Sequence, residues 1–157
     1  MDSEEYSKKI MDHFLNPRNV GTIKNADGYA RVKNPVCGDL TDVYIKVKNE
    51  RITDVKFKTF GCLVTIASAS ALSEAVKGKA LDEISEDKEP IEMLMKLIRG
   101  EFGDLPKEKL HCPPASIQAL LTAISDYYKK NKELEKVKRI EKALVDIRCY
   151  YKAGTEE

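Results

Sequence analysis

DVYIKVKNERITDVKFKTF, residues 42–60, has a hydrophobic period of two. Val43, Ile45 and Val47 alternate with Tyr44, Lys46 and Lys48, while Val55 and Phe57 alternate with Asp54, Lys56 and Lys58. Successive side chains of an extended chain point to opposite faces, so the pattern predicts two strands with one apolar and one wet face. The short polar connection Asn49-Glu50-Arg51 joins them as a hairpin. GYARVK, residues 28–33, supplies a third strand. The expected sheet is antiparallel, with one face on a core.

Outward from the sheet the period changes. Residues 3–15 carry Tyr6, Ile10, Met11 and Phe14 at helical spacing, with Ser3 as a candidate cap, and NPRNVG ends that helix. After Phe60 the chain reads as helix. TIASASALSEAVKG is rich in small residues, which let another backbone approach closely, and it stops at Gly78. IEMLMKLIRG turns Ile91, Leu94, Met95 and Ile98 inward, and residues 115–130 do the same with Ile117, Leu120, Leu121, Ile124 and Tyr128. Leu134, Val137, Ile140, Leu144, Ile147 and Tyr151 form a last stripe, expected to be one extended C-terminal helix that packs on the rest. The predicted fold is α+β: a small antiparallel three-stranded sheet against a layer of helices, in a single domain over residues 1–157.

The charges narrow the function. Lys and Arg number 27 against 26 Asp and Glu, so the chain lacks the basic footprint of a nucleic-acid binder. The opening MDSEEYSKK has no apolar signal-peptide core, and FGCLVTIASASALS falls short of the roughly 20 apolar residues that span a bilayer. A cytoplasmic protein without a membrane segment is expected. In that reducing compartment cysteines serve more often as ligands, nucleophiles or core residues than as disulfides.

Four cysteines are present, and three sit where sites are built. Cys37 lies in NPVCGD, where Pro35 keeps the approach extended and Gly38 permits a tight turn that aims Cys37 and Asp39 together. Cys62 follows the hairpin and precedes a helix, whose free amides and partial positive charge favour thiolate. Cys112, in LHCPP, precedes another: Pro113 biases it away from the α region, and Pro114 suits the first turn. Each has an ordinary alternative as a turn residue or a small buried hydrophobe. Cys149 lies in a regular helix and, like His13, reads as structural or incidental. No CxxC is present, which excludes a zinc ribbon or a thioredoxin-type motif. Three thiolates with Asp39 or His111 make four ligands for a tetrahedral metal or a small cluster, and spacing does not choose between zinc and iron–sulfur.

With these motifs assembled, the sequence resembles the IscU family, which includes the N-terminal domain of NifU. The likeness runs from Tyr6 to about Lys130, on YSKKIMDHFLNPRNVG, NPVCGD, FKTFGC with the following IASAS, and KLHC. It implies an iron–sulfur cluster assembly scaffold, not an enzyme. Such a scaffold takes sulfur from a cysteine desulfurase, iron from solution or a carrier, and electrons from a donor such as a ferredoxin. It builds a [2Fe–2S] cluster and passes it to apo iron–sulfur acceptor proteins. Carried over by motif, Cys37, Cys62 and Cys112 are the thiolate ligands, and Asp39 and His111 the candidates for the fourth position. Cys112 is the persulfide acceptor, and Lys109 its basic neighbour. The resemblance allows a homodimer, and zinc in the apo form.

Three departures bear on that picture. The family's docking segment for an Hsp70-type chaperone, LPPVK, reads LPKEK at Leu105 to Lys109, so that partner is not carried over. Leu63-Val64 replaces the usual Gly-Ser after Cys62, and residues 132–157 extend past the usual end. The competing assignment is a zinc-dependent sulfurtransferase of the SufU type, built on Cys37, Asp39, Cys62 and Cys112. Chains of that type carry an insertion between the second and third cysteines and usually lack the preceding histidine. Here Cys62 and Cys112 stand 50 positions apart but His111 is present, which favours the scaffold.

Overall fold

The hairpin closes through two residues rather than three. In the computed structural model, which describes residues 7–152, Asn49 and Glu50 take φ of 53° and 61°, and Lys48 pairs directly with Arg51. Positive φ at both central positions is the type I′ geometry, whose twist matches that of the flanking strands. The strands are β1 (Gly28–Lys33), β2 (Leu40–Lys48) and β3 (Arg51–Phe60), antiparallel in the order β1-β2-β3. A bulge interrupts the hairpin, because Lys46 pairs with Asp54 and Val47 with Ile52, leaving Thr53 over. It lets Ile52 and Val55 both face the core despite their odd spacing.

One face of the sheet buries Ala30, Val32, Val43, Ile45 and Phe57. Against it lies the long helix α5, Pro113–Lys130, labelled in chain order after α1 (Lys8–Leu15), α2 (Leu63–Val76), α3 (Leu81–Ser85) and α4 (Pro90–Phe102). The face of α5 read from the sequence, Ile117 to Tyr128, is buried as expected. The approach is close at Gly28, where a Cβ would lie 2.2 Å from the carbonyl oxygen of Ala123. Helix α2 packs against α1, β3, α4 and α5, and buries nearly all its alanines and serines. Ser70 accepts from the Arg18 amide at 2.9 Å and bonds His13 Nδ1 at 2.7 Å, so His13 is structural, as expected. The outer edge of β3 is covered by residues 19–21, with Phe57 N–H donating to Asn19 and Gly21 N–H to Phe57.

The α+β expectation holds, with local corrections. Ser3 and Tyr6 lie outside the described residues; Ser7 caps α1 by accepting from the Ile10 amide. The five-residue α3 was not anticipated. The C-terminal stripe is two helices, α6 (Leu134–Leu144) and α7 (Ile147–Lys152). Between them Val145 and Asp146 donate to carbonyls three residues back, which tightens the turn and redirects the chain. Val137, Ile140, Ile147 and Tyr151 are therefore buried while Leu134 is exposed. Among the described residues no helix is long and apolar enough to cross a membrane.

Two substitutions test this packing by thermal unfolding. Gly28→Ala should lower the melting temperature, because overpacking against backbone costs about 1–3 kcal/mol. Ile140→Ala, at a fully buried position of α6, should cost about 2–5 kcal/mol. An unchanged melting temperature for Ile140→Ala would show that α6 is not docked.

Candidate functional site

Asn34, buried at the end of β1, ties two cysteine loops together. Its Oδ1 accepts from the amides of Val36 and Cys37, its carbonyl from the Gly38 amide, and its own amide donates to the Asp39 carbonyl. Its Nδ2 donates to the His111 carbonyl at 2.9 Å, 77 positions away. Gly38, at φ 81°, completes the turn. Nothing in the sequence reading singled out Asn34; an Asn before Pro in NPVCGD was the available signal, since its side chain readily bonds the amides that follow.

Cys62 and Cys112 are the N-cap residues of α2 and α5, as the sequence placed them, and neither makes a side-chain cap bond. Asp39 supplies the missing cap for α2: its Oδ2 accepts from the Cys62 amide at 3.2 Å and from Thr65 Oγ1 at 2.9 Å. A carboxylate at a helix N-terminus meets unpaired amides and a favourable dipole. Gly61 must stay small beside it, because a Cβ there would lie 2.6 Å from Asp39 Oδ2. The Asp39 side chain therefore braces α2 while also bonding the Cys37 thiol within its own Cys-Gly-Asp turn.

The two N-cap sulfurs meet, with Cys62 Sγ 3.6 Å from Cys112 Sγ and 3.4 Å from Thr65 Oγ1. The Cys112 thiol, donating to Cys62, is the main reason the Cys62 thiol falls to about 5; Thr65 and the charge of Lys109 add to it against opposing burial. The same hydrogen bond, and then burial, push Cys112 up. The two thiols thus titrate as a coupled pair, with negative charge favoured on Cys62. Cys112 takes αR angles, φ −78° and ψ −49°, contrary to the bias expected from Pro113. Its amide bonds the Lys109 carbonyl at 3.1 Å, and this continuation of the Lys107–Lys109 3₁₀ turn into α5 outweighs the proline clash.

Cys37 is exposed, and burial of its sulfur, then the Asp39 charge, raise its thiol against a backbone bond from Asp39. His111 keeps Nδ1 buried without a hydrogen-bond partner, a nitrogen left ready for a ligand. Cys62, Cys112 and Asp39 are thus in mutual reach through Thr65. Among the described residues, however, no three His, Cys, Asp or Glu side chains stand as a finished metal site. Cys37 stands on the neighbouring exposed turn, bonded to the Asp39 carboxylate and within electrostatic reach of Cys62 and Cys112. Cys149 is exposed on α7.

The small α+β domain brings two cysteines together at two helix starts, with a third on a turn tied to them through Asn34. The chain belongs to the family described as NifU-like N terminal domain, which matches residues 5–134. It is 47% identical over 135 residues to the iron-sulfur cluster assembly scaffold protein IscU 1 of Archaeoglobus fulgidus, covering 86% of this chain and 84% of the relative. It is 43% identical over 140 residues to the scaffold protein IscU of Aquifex aeolicus, covering 88% and 85%. A solved structure from Fervidobacterium islandicum, named after the SUF system of iron-sulfur cluster assembly, aligns with TM-score 0.50 at 24% identity. It covers 98% of this chain and 99% of that one, a likeness of fold alone.

The coupled pair gives a pH prediction. Cys62 alkylation, followed by mass spectrometry, should stay level from about pH 8 to about pH 6 and fall as pH drops through about 5. In Cys112→Ala the fall should move up toward the ordinary thiol range, because the main cause of the lowering is gone. Asp39→Ala should lower the melting temperature by the equivalent of about 0.5–2 kcal/mol for a lost helix cap.

Proposed function

We propose that the protein is a scaffold on which [2Fe–2S] clusters are assembled and from which they are released. The observation that carries this reading is the contact between Cys62 and Cys112 at two helix N-termini, with Nδ1 of His111, the residue before Cys112, buried and unpartnered. The IscU names of its relatives agree. The cluster is cargo. Cys37, Cys62 and Cys112 are its thiolate ligands, and His111 is better suited than Asp39 to the fourth position, because Asp39 is engaged in capping α2. Thiolate is the softer match for iron and sulfide, so an imidazole or carboxylate corner makes a set that can let its cargo go.

Sulfur arrives as a persulfide on a cysteine desulfurase. A thiolate of the scaffold attacks the terminal sulfur, the desulfurase thiolate leaves, and the persulfide is then on the scaffold. Cys112 is assigned as the acceptor. At 1% exposure it must first be uncovered, and its segment is held by the short turn Lys107–Lys109 and the Asn34–His111 bond. As Cys112 leaves Cys62 it also loses the bond that raises its thiol, so uncovering favours the reactive thiolate. Lys109, whose charge already acts on Cys62, supports negative sulfur at the same place. Reduction to sulfide draws on an external electron donor such as a ferredoxin, and acceptor apo-proteins take the finished cluster.

Anaerobic reconstitution with a cysteine desulfurase, ferrous iron and reductant tests this reading. Visible charge-transfer bands, iron and acid-labile sulfide are expected. Each of Cys37→Ser, Cys62→Ser and Cys112→Ser should lower cluster yield, and Cys149→Ser should leave it intact. Stoichiometric zinc, a bleached spectrum and persulfide transfer without cluster would instead establish a zinc-dependent sulfurtransferase of the SufU type.

A further inference from the structure

The family match ends at residue 134, so nearly all of α6 and the whole of α7 lie beyond it. Helix α7 nonetheless returns to the candidate site. Its Ile147 and Tyr151 line one side of a cavity of about 440 Å3, and Pro35 and Val36, next to Cys37, line another. Tyr151 is 4% exposed, and its hydroxyl donates to Gln118 Oε1 of α5 at 2.5 Å, so the ring is fixed from the body of the domain. Burial and then the charge of Cys37 raise its phenol, which puts the ring within electrostatic reach of that sulfur. The hydrogen bonds of Asn34 set the shape of the Cys37 turn but leave its tip exposed, with Val36 at 45% on the cavity side.

We propose that α7 is a clasp on the Cys37 loop, with Tyr151 as the positioning residue: the docked helix limits the swing of Pro35–Cys37 and so sets how readily Cys37 joins or leaves Cys62, Cys112 and His111. The restraint on the loop is a property of the apo chain. Its consequence for a cluster rests on the scaffold reading above. The physical basis is confinement: Ile147 and Tyr151 wall the cavity that the tip of the loop faces, so the tip swings only as far as that wall allows.

Hydrogen–deuterium exchange of the peptide spanning residues 33–40 tests the clasp without any cluster. Tyr151→Ala should speed exchange of the Val36, Cys37 and Gly38 amides by about five-fold or more, and Tyr151→Phe, which keeps the ring, should restore rates to within about two-fold of wild type. Val137→Ala serves as a control, because Val137 is buried on α6 and does not line the cavity. It should lower the melting temperature without changing exchange of this peptide. No acceleration in Tyr151→Ala, or equal acceleration in Val137→Ala, would overturn the clasp. On the reconstituted protein Tyr151→Ala should hasten cluster loss to a chelator. Faster exchange with unchanged cluster loss would overturn the link from clasp to release, whereas a wild-type protein that takes no cluster would overturn the scaffold reading and leave the exchange result standing.

Discussion

Helix α2 is enclosed by α1, β3, α4 and α5, and that enclosure constrains everything around it. Burying a helix with serines on several sides is costly unless its hydroxyls find partners; of its three serines two find them, while Ser68 Oγ is buried without one. Ser70 finds His13 and the Arg18 amide, and Ser73 finds Asn19 and the Ser70 carbonyl. Those bonds fix α1 and the segment that follows it against the domain. Small side chains let the neighbours come near, which leaves few directions in which the N-terminus of α2 can emerge. It emerges beside the start of α5, and the sulfurs of the two cap residues touch as a result.

The chemistry of the site follows from that convergence. Two helix starts bring unpaired amides and partial positive charge to one end of the domain, an environment that stabilises negative sulfur. Asp39 takes up part of that potential by bonding the Cys62 amide and Thr65, so the carboxylate is already engaged where the histidine nitrogen is not. Asn34 then couples the first cysteine loop to the segment bearing the third. The arrangement is half built: two thiols are in contact, while the third rides on an exposed turn.

Much of this was legible in the chain because it is encoded locally. Alternation named the strands, helical spacing named the inward faces of α4 and α5, and turn-forming and cap-favouring neighbours marked Cys37, Cys62 and Cys112. What escaped depends on partners distant in sequence. Asn34 reads as a turn residue until His111 is placed beside it, and Asp39 reads as part of Cys-Gly-Asp until Cys62 and Thr65 arrive. The burial of Cys112 and its helical backbone arise from a competition between a proline's local bias and a turn continuing into α5, which local rules cannot settle. The division of the last helix has the same character: the apolar stripe is continuous in sequence, but docking favours a bend at Val145–Asp146.

The bulge at Thr53 marks where the hairpin can absorb a residue. It adds one between Ile52 and Val55, and β3 runs on through Phe60 and Gly61 into Cys62. The hairpin is thus a counting device with a single step of offset. Loss of Thr53 would leave an unbroken ladder, with Val47 opposite Ile52 and Lys46 opposite Asp54, so the strand beyond would keep its face. Loss or gain of one residue between Val55 and Phe60 has no such outlet: it would roll the end of the strand over and carry Gly61 away from Asp39. The aim of the sulfur at the far end therefore depends on the count after the bulge, not on the count within it.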